Sequence, residues 1–282
     1  MYANGPLSPK PAGEFNFEPP PAGSALYLEQ TPRRVRVIVG DETVADSRRA
    51  FLLQESGLQP VYYFPPDDVR QDLLEPSDKH THCPKKGDAS YYTIRVGDRV
   101  VKSGAWYYPE LLPGAPEALQ GLIAFYFDRM DRWLEEAEEI DVHPRDPYHR
   151  VDVVATDRRV RISVEGELVA DTSRALALFE TGLPTRWYIP PEDVVAELER
   201  SDTITHCPYK GEAGYYSVRL GSGELKQDLI WYYEHPLAEV GRIAGALCFF
   251  NERVDIELDG EAEERPESAW SRARVAGRVG IR

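Results

Sequence analysis

The sequence lacks the features that mark membrane-spanning and secreted proteins. It contains no run of about 18 apolar residues, which excludes an ordinary membrane-spanning helix. The N-terminal residues include a single lysine and no apolar core, so they do not read as a secretory signal. Three cysteines in 282 residues cannot build a disulfide framework. Together these absences predict a protein of the reducing cytoplasm.

Basic residues are also scarce relative to acidic ones. The chain has 33 lysines and arginines against 48 aspartates and glutamates, for a formal net charge of -15. Such a surface repels phosphate backbones and anionic lipids, so we expect neither a nucleic-acid nor a membrane partner. Apolar residues make up 42% of the chain and aromatic residues 11%, which is typical of a globular protein.

What the sequence does contain is an internal repeat. Residues 35–58 and 160–183 are identical at 13 of 24 aligned positions, and residues 77–92 and 201–216 at 11 of 16. Two copies of this size indicate a pair of similar domains rather than a solenoid, which needs three or more short units. We therefore predict a flexible segment at 1–24, a first repeat domain at 25–140, a second at 141–258 and a flexible tail at 259–282.

Within one copy, the pattern of apolar residues predicts strands. Residues 34–39 alternate in polarity, residues 61–64 are aromatic and end at two prolines, and residues 122–127 are apolar throughout. The Pro-Asp-Asp segment that starts at Pro66 predicts a short helix. We expect about seven strands and one or two short helices per copy. The predicted fold class is mainly β with short helices, a β-rich α+β arrangement in which two antiparallel sheets pack together.

The repeated motifs carry a resemblance to a known family. Both copies contain V-A-D, E-(S/T)-G-L, P-P-(D/E)-D-V, T-H-C-P-x-K-G and W-Y-Y in the same order. This set resembles the domain-of-unknown-function 427 family in its tandem form. The resemblance implies a fold similar to the β-tent, or Mss4-like, group, with a groove between two sheets. Members of that group commonly bind zinc through two C-x-x-C knuckles, and this sequence contains no C-x-x-C.

The T-H-C-P-x-K-G motif supplies the candidate catalytic residues. Its cysteine could act as a nucleophile, line a pocket or pack in the core, since a neighbouring lysine or histidine could lower the pKa of the thiol. Adjacent residues on a strand point to opposite faces, which argues against a direct contact between histidine and cysteine. The histidine could serve as a general base or could bond a backbone carbonyl in a turn. The catalytic candidates are Cys83, His82, Cys207 and His206.

The lysine of the motif precedes a glycine and is expected in a loop. There it could face an anionic ligand or remain solvated, but upstream glycines of a phosphate-binding loop are missing. Glu55 and Glu180 each end an apolar strand, and we expect their side chains to be buried. A buried carboxylate needs a cationic partner, for which the motif lysines or Arg49 and Arg174 are candidates. A zinc ion shared by the two motifs has little support in the spacing, so we expect no metal and no cofactor.

These residues and the tyrosines and tryptophans around them favour a ligand groove in each copy, although aromatic residues of this kind also form cores. We expect the groove to bind a small molecule, which could be anionic. One alternative is an enzyme that uses the motif for thiol or acyl chemistry, and another is a structural or protein-interaction repeat. The predicted ligand-binding residues are Glu55, Tyr63, Asp68, Thr81, His82, Lys86, Tyr92 and Trp106 in the first copy, and Glu180, Tyr188, Asp193, Thr205, His206, Lys210, Tyr216 and Trp231 in the second.

Overall fold

The computed structural model describes residues 13–18, 21, 24–268 and 271. The chain divides into two compact units, Met1–Asp146 and Pro147–Arg282. Most of the two segments predicted to be flexible, 1–24 and 259–282, lies outside the described residues, and their flexibility stays a prediction. No helix in the described part of the chain is both long enough and apolar enough to cross a membrane.

The described residues of the first unit form eleven strands and four short 3-10 helices. The strands are β1 Leu26–Gln30, β2 Val35–Val39, β3 Glu42–Ser47, β4 Phe51–Glu55, β5 Val61–Phe64, β6 Leu74–Cys83, β7 Gly87–Val96, β8 Arg99–Tyr107, β9 Ile123–Phe125, β10 Arg132–Glu135 and β11 Glu138–Glu139. The 3-10 helices are Pro66–Asp68, Gln71–Leu73, Glu117–Leu119 and Phe127–Arg129.

The second unit repeats this arrangement. Its strands are β12 Val151–Ala155, β13 Val160–Val164, β14 Glu167–Thr172, β15 Leu176–Glu180, β16 Arg186–Ile189, β17 Glu197–Cys207, β18 Gly211–Arg219, β19 Leu225–Tyr232, β20 Leu247–Phe249, β21 Asp255–Leu258 and β22 Glu261–Ala262. Its 3-10 helices are Pro191–Asp193 and Ala238–Ile243.

Each unit contains one large and one small antiparallel sheet. The large sheet of the first unit has the order β1-β4-β5-β9-β8-β7-β6, and its small sheet has the order β11-β10-β2-β3. The second unit has the same orders in its own numbering, β12-β15-β16-β20-β19-β18-β17 and β22-β21-β13-β14. The prediction of a mainly β fold with two sheets per copy is confirmed. The relation to the Mss4-like group stays a resemblance.

Successive side chains of a strand point to opposite faces of the sheet, and in each large sheet apolar side chains are buried on both faces. In the first unit, one face packs against the small sheet through Leu52, Tyr62 and Phe64 from the large sheet and Val37 and Trp133 from the small one. We call this the inner core. Each large apolar side chain removed from water there contributes about 1.5–3 kcal/mol to stability. The apolar run at 122–127 is β9, the middle strand of the large sheet, as predicted.

The opposite face carries a second apolar layer, which we call the outer layer. In the first unit it contains Leu53, Tyr63 and Tyr91, covered by Leu119 and Leu122 from the segment that connects β8 and β9. In the second unit it includes Tyr188, Trp231 and Cys248. Because both faces of the large sheet are buried, its central strands are apolar on both sides.

Two predictions about the strands need correction. The described residues of each unit form eleven strands, not about seven. The T-H-C part of the motif, predicted as a turn, forms the end of β6 in the first unit and of β17 in the second, and the turn begins at the following proline. Every residue of β6 is at least partly exposed, so this edge strand lacks the buried apolar alternation that marks other strands.

Candidate functional site

A row of aromatic side chains crosses the outer layer of each large sheet. The strand register aligns Tyr91, Trp106, Ala124 and Tyr63 on four neighbouring strands of the first unit. The Trp106 indole nitrogen donates a hydrogen bond to the Tyr63 hydroxyl over 3.3 Å. Burial raises the pKa of Tyr63 well above its usual value, so its hydroxyl stays protonated. This part of the predicted groove is packed as a core.

The second unit keeps the same pair. The Trp231 indole donates to the Tyr188 hydroxyl over 3.0 Å, and Tyr188 is 1% exposed. The motif threonine also has one role in both units, since Thr81 and Thr205 each lie 2.8 Å from a tyrosine hydroxyl, that of Tyr91 and of Tyr215 respectively. These repeated hydrogen bonds satisfy polar groups within an apolar layer.

A buried ion pair lies next to this row in the first unit. The Lys86 ammonium contacts one carboxylate oxygen of Glu55, and the Lys85 ammonium lies 3.0 Å from the other. Glu55 is 7% exposed and Lys86 is 6% exposed. Burial alone would raise the pKa of Glu55, but the two lysines outweigh it and hold the pKa below its ordinary value.

The second unit builds the corresponding pair with a different third member. The Lys210 ammonium lies 2.5 Å from Glu180, and the imidazole of His149 lies 2.9 Å from the other carboxylate oxygen. The ring of Tyr209, which occupies the position of Lys85, stacks on His149 at 4.0 Å. Burial opposes ionisation of Glu180, yet Lys210 and His149 lower its pKa to about 2. The carboxylate is therefore charged at neutral pH.

These pairs correct one prediction and confirm another. The motif lysines were expected in an exposed loop, but both are buried and neutralised, so they do not project toward a ligand in solvent. The expectation that Glu55 and Glu180 need cationic partners is confirmed, with the motif lysines as those partners. The alternative partners, Arg49 and Arg174, instead pair with Asp68 and Asp193.

The backbone of Lys86 and the following glycine also hold the turn of the motif in place. The Lys86 amide donates to the Cys83 carbonyl, and the Leu112 amide donates to the Lys86 carbonyl over 3.1 Å. The next residue, Gly87, has φ +111°, and a Cβ there would lie 3.0 Å from the Glu110 carbonyl oxygen. The motif glycine is therefore needed both for its backbone angle and for the close approach of the following loop.

The motif histidines lie away from the outer layer. His82 and His206 are exposed on the opposite face of their strands, next to Asp88 at 2.7 Å and Glu212 at 3.2 Å. Cys83 packs against the outer layer, so histidine and cysteine point to opposite faces, as the strand geometry predicts. In the described residues, no three His, Cys, Asp or Glu side chains converge as a metal site would require.

The predicted aspartates brace the fold at another location. Asp68 accepts a hydrogen bond from Ser47 over 2.6 Å and pairs with Arg49 at 2.7 Å. Asp193 accepts from Thr172 over 2.6 Å and pairs with Arg174 at 2.8 Å. Each aspartate thus joins a 3-10 helix to the small sheet.

The predicted tyrosines Tyr92 and Tyr216 lie on the inner face of their sheets. Tyr92 stacks on Tyr107 with ring centroids 5.0 Å apart, and Tyr216 stacks on Tyr232 at 4.9 Å. The predicted ligand-binding set is therefore divided among the outer layer, the exposed face of the motif strand, the aspartate brace and the inner-face tyrosine pairs. It does not form one groove.

One of these places contains a concave site. A cleft of about 430 Å³ opens beside Tyr216 in the second unit, and we call it the Arg200 cleft. It is lined by Pro191, Leu198, Arg200, Tyr216, Tyr232, Glu234, Gly245 and Leu247.

Sequence reasoning missed most of the Arg200 cleft, although the repeat contains a signal. Arg200 pairs with Tyr216 in the sheet as Pro76 pairs with Tyr92. Glu234 follows β19 where Pro109 follows β8. Two prolines of the first copy are thus replaced by two charged residues that line one cleft. Charged residues present in only one of two copies are not required by the shared fold.

The comparisons with known proteins agree with the repeat. The family model described as "Domain of unknown function (DUF427)" matches the chain twice, at residues 27–136 and 152–260. No curated protein matches the chain significantly. The two matches cover well over half of the chain, one in each unit. The chain therefore belongs to the DUF427 family, as a tandem pair of its domains.

Proposed function

We propose that this chain binds a small molecule in the Arg200 cleft of its second unit. The supporting observation is the cleft itself, about 430 Å³ and lined by stacked tyrosines, leucines and two charged side chains. Ligand sites in proteins commonly have volumes of roughly 300–1,000 Å³, with apolar walls and a few polar groups that orient the ligand. Tyr216 is the one predicted ligand residue that this site retains.

The charges of the Arg200 cleft support the same proposal. Arg200 is exposed, and its side chain makes no hydrogen bond or ion pair with any residue that the structure describes. By contrast, Arg219 on the neighbouring strand β18 pairs with Glu199, the residue before Arg200. An arginine side chain that has no partner in the fold and lines a cleft with two aromatic residues is well placed to bind a group brought by a ligand.

We assign a structural role to the outer-layer residues of the predicted set. Glu55, Lys86, Tyr63 and Trp106 satisfy one another within a buried layer, as do their counterparts in the second unit. Their contacts hold the motif turn against the sheet. In this proposal the T-H-C-P-x-K-G motif shapes the domain, and the Arg200 cleft binds the ligand.

A thermal-shift screen of small metabolites against the full chain tests the proposal. A ligand at 100 times its Kd stabilises the native state by about 2.7 kcal/mol, which raises the Tm measurably. Tyr216→Leu should abolish the shift, and the matched variant Tyr92→Leu in the first unit should retain it. Both variants lose one stacked ring of the same kind. Equal shifts in the two variants would place the ligand elsewhere.

Thiol chemistry remains a second candidate because of one contact in the second unit. Lys210 interacts with the Cys207 side chain as well as with Glu180. Alkylation of the native protein with iodoacetamide near neutral pH, followed by peptide mass spectrometry, tests this candidate. Modification of Cys207 far faster than of Cys83 supports it, and no modification of either removes it.

A further inference from the structure

We propose that the ligand of the Arg200 cleft is a small zwitterion with a carboxylate and an ammonium group, of the amino-acid or short-peptide class. This inference rests on the function proposed above and specifies it. The observation behind it is that the cleft presents one cation and one anion, Arg200 and Glu234, that are not paired with each other.

The two charged groups are available for a ligand. The side chains of Arg200 and Glu234 form no hydrogen bond or ion pair with another residue in the described part of the chain, and both residues are exposed. Both residues line the same cleft as Tyr216. In agreement with that placement, burial does most to raise the pKa of Tyr216, while Arg200 lowers it and Glu234 raises it.

A cleft with one positive and one negative side chain favours a ligand that carries both a negative and a positive group. A guanidinium binds a carboxylate through two parallel hydrogen bonds, and a carboxylate accepts hydrogen bonds from an ammonium group. A purely anionic ligand gains from Arg200 but is repelled by Glu234, and a purely cationic ligand meets the reverse. The sequence left open whether the ligand is anionic, and the charges of the cleft favour a zwitterionic one.

The walls of the cleft define the rest of the ligand. Tyr216 and Tyr232 offer stacked rings, and Leu198 and Leu247 add apolar surface. A hydrophobic or aromatic side chain of an amino acid suits such walls.

A glycine specific to the second unit positions Tyr232. A Cβ at Gly214 would lie 2.8 Å from the Tyr232 ring, closer than real Cβ contacts, so the ring leans over this glycine. The corresponding residue of the first unit is Ser90, which pairs with Tyr107 as Gly214 pairs with Tyr232. Gly214 therefore distinguishes the second unit at a wall of the cleft.

Titration calorimetry of the full chain with the twenty amino acids and a set of Gly-X dipeptides tests the inference. For the tightest binder, two analogues follow, one N-acetylated and one with the carboxylate converted to an amide. We expect each analogue to bind at least about tenfold more weakly, since each loses one charge-assisted contact. An acetylated analogue that binds equally well overturns the zwitterion assignment, as does failure of every amino acid and dipeptide to bind.

Variants at the exposed charges locate the two contacts. Arg200→Ala should weaken the free amino acid and its acetylated analogue alike, whereas Glu234→Gln should weaken only the free amino acid. Gly214→Ser, which copies the first unit, should weaken every ligand through displacement of Tyr232. If the variants still bind the ligands but do not show these differences between the free and the acetylated amino acid, Arg200 and Glu234 are not the two contacts.

The two proposals fail in different ways. If a metabolite binds, and Tyr216→Leu abolishes its binding, but that metabolite lacks one of the two charges, only the zwitterion assignment is overturned. If no metabolite, amino acid or dipeptide gives binding that depends on Tyr216, the proposed function fails as well.

Discussion

The two units share a fold and a buried carboxylate–lysine pair, but they neutralise that carboxylate with different third residues. Glu55 is held by Lys86 and by the adjacent Lys85, while Glu180 is held by Lys210 and by His149 from the start of the second unit. Tyr209 replaces Lys85 and stacks on His149 instead. A buried carboxylate fixes the need for positive or hydrogen-bonding partners, but the chain can supply them from different strands or loops.

The second unit also contains a buried ion pair that has no counterpart in the first unit. Arg186 lies fully buried against Glu252, with nitrogen–oxygen distances of 2.7 and 2.8 Å. The first unit has Val61 and the exposed Asp128 at these two positions. The shared fold therefore does not depend on this pair.

The largest effect is expected from breaking that pair. Glu252→Gln leaves the Arg186 guanidinium buried without a carboxylate, which should lower the free energy of unfolding by about 3–5 kcal/mol. The matched change in the first unit, Asp128→Asn, should cost less than about 0.5 kcal/mol because the side chain is exposed. Urea unfolding monitored by hydrogen exchange in each unit separates the two results.

A double variant then distinguishes the charge from the packing. Arg186→Val combined with Glu252→Gln copies the apolar choice of the first unit at the arginine position and removes the unpaired cation. It should recover much of the stability lost in the single variant. A double variant as unstable as Glu252→Gln alone would show that packing, rather than an unpaired charge, causes the loss.

The next effect compares the lysines of the two motifs. Lys210→Met leaves Glu180 with His149, which is charged only when protonated, and should cost about 3 kcal/mol. Lys86→Met leaves Glu55 with a second lysine, Lys85, whose ammonium lies 3.0 Å from the carboxylate, and should cost less. Adding Tyr209→Lys to Lys210→Met places a lysine where the first unit has Lys85, as in the Lys86→Met variant, and should recover part of the loss. Equal costs in the two single variants would contradict the assigned role of Lys85.

The pH dependence of the second unit follows from the same carboxylate. The pKa of Glu180 falls from its ordinary value of 4.5 to about 2 in the folded state. A depressed carboxyl pKa stabilises the fold fully above the unfolded value, and this contribution is lost as the pH falls from 4.5 toward 2. At about 1.4 kcal/mol per pKa unit, the loss approaches about 3 kcal/mol.

Acid unfolding of Glu180→Gln provides the check. A glutamine cannot titrate, so the variant should be less stable at neutral pH and should show a flatter stability curve between pH 4.5 and 2. The variant Glu55→Gln should flatten the curve of the first unit in the same direction. A wild-type and a Glu180→Gln protein with parallel curves would exclude Glu180 as the titrating group.

Several features of the fold and site could be predicted from the residues alone. The strand at Val61–Phe64 and the middle strand around residues 123–125 have apolar runs bounded by turn residues, so their pattern reports their burial. The need of Glu55 and Glu180 for cations follows from their place at the ends of apolar strands. The Thr-His-Cys strand was missed because an edge strand with charged side chains on it has no apolar period.

The Arg200 cleft could not be predicted for a different reason. Its walls come from residues between Pro191 and Leu247, which sheet pairing brings together across more than 50 positions of sequence. Local pattern does not encode such a juxtaposition. The sequence signal for the cleft is a difference between the copies, with Arg200 in place of Pro76 and Glu234 in place of Pro109. The motif, by contrast, stands out because the copies are similar there.

The smallest effect concerns a polar group that only the first unit keeps in its inner core. The Tyr62 hydroxyl donates a 2.8 Å hydrogen bond to Glu135, which also pairs with Arg33. In the second unit, Trp187 and Leu258 take the places of Tyr62 and Glu135. The arginine at the third position, Arg158, lies 5.9 Å over the Trp187 ring.

Tyr62→Phe removes one hydrogen bond to a buried carboxylate and should lower the free energy of unfolding by about 1–2 kcal/mol. Because Leu258 cannot accept a hydrogen bond, Trp187→Tyr should also destabilise the second unit, by leaving a buried hydroxyl unsatisfied. Trp187→Phe, which adds no hydroxyl, separates that cost from the loss of ring size. If Trp187→Tyr is no worse than Trp187→Phe, the added hydroxyl is satisfied without a protein acceptor, and the lack of such an acceptor does not explain why the second unit has no tyrosine at this position.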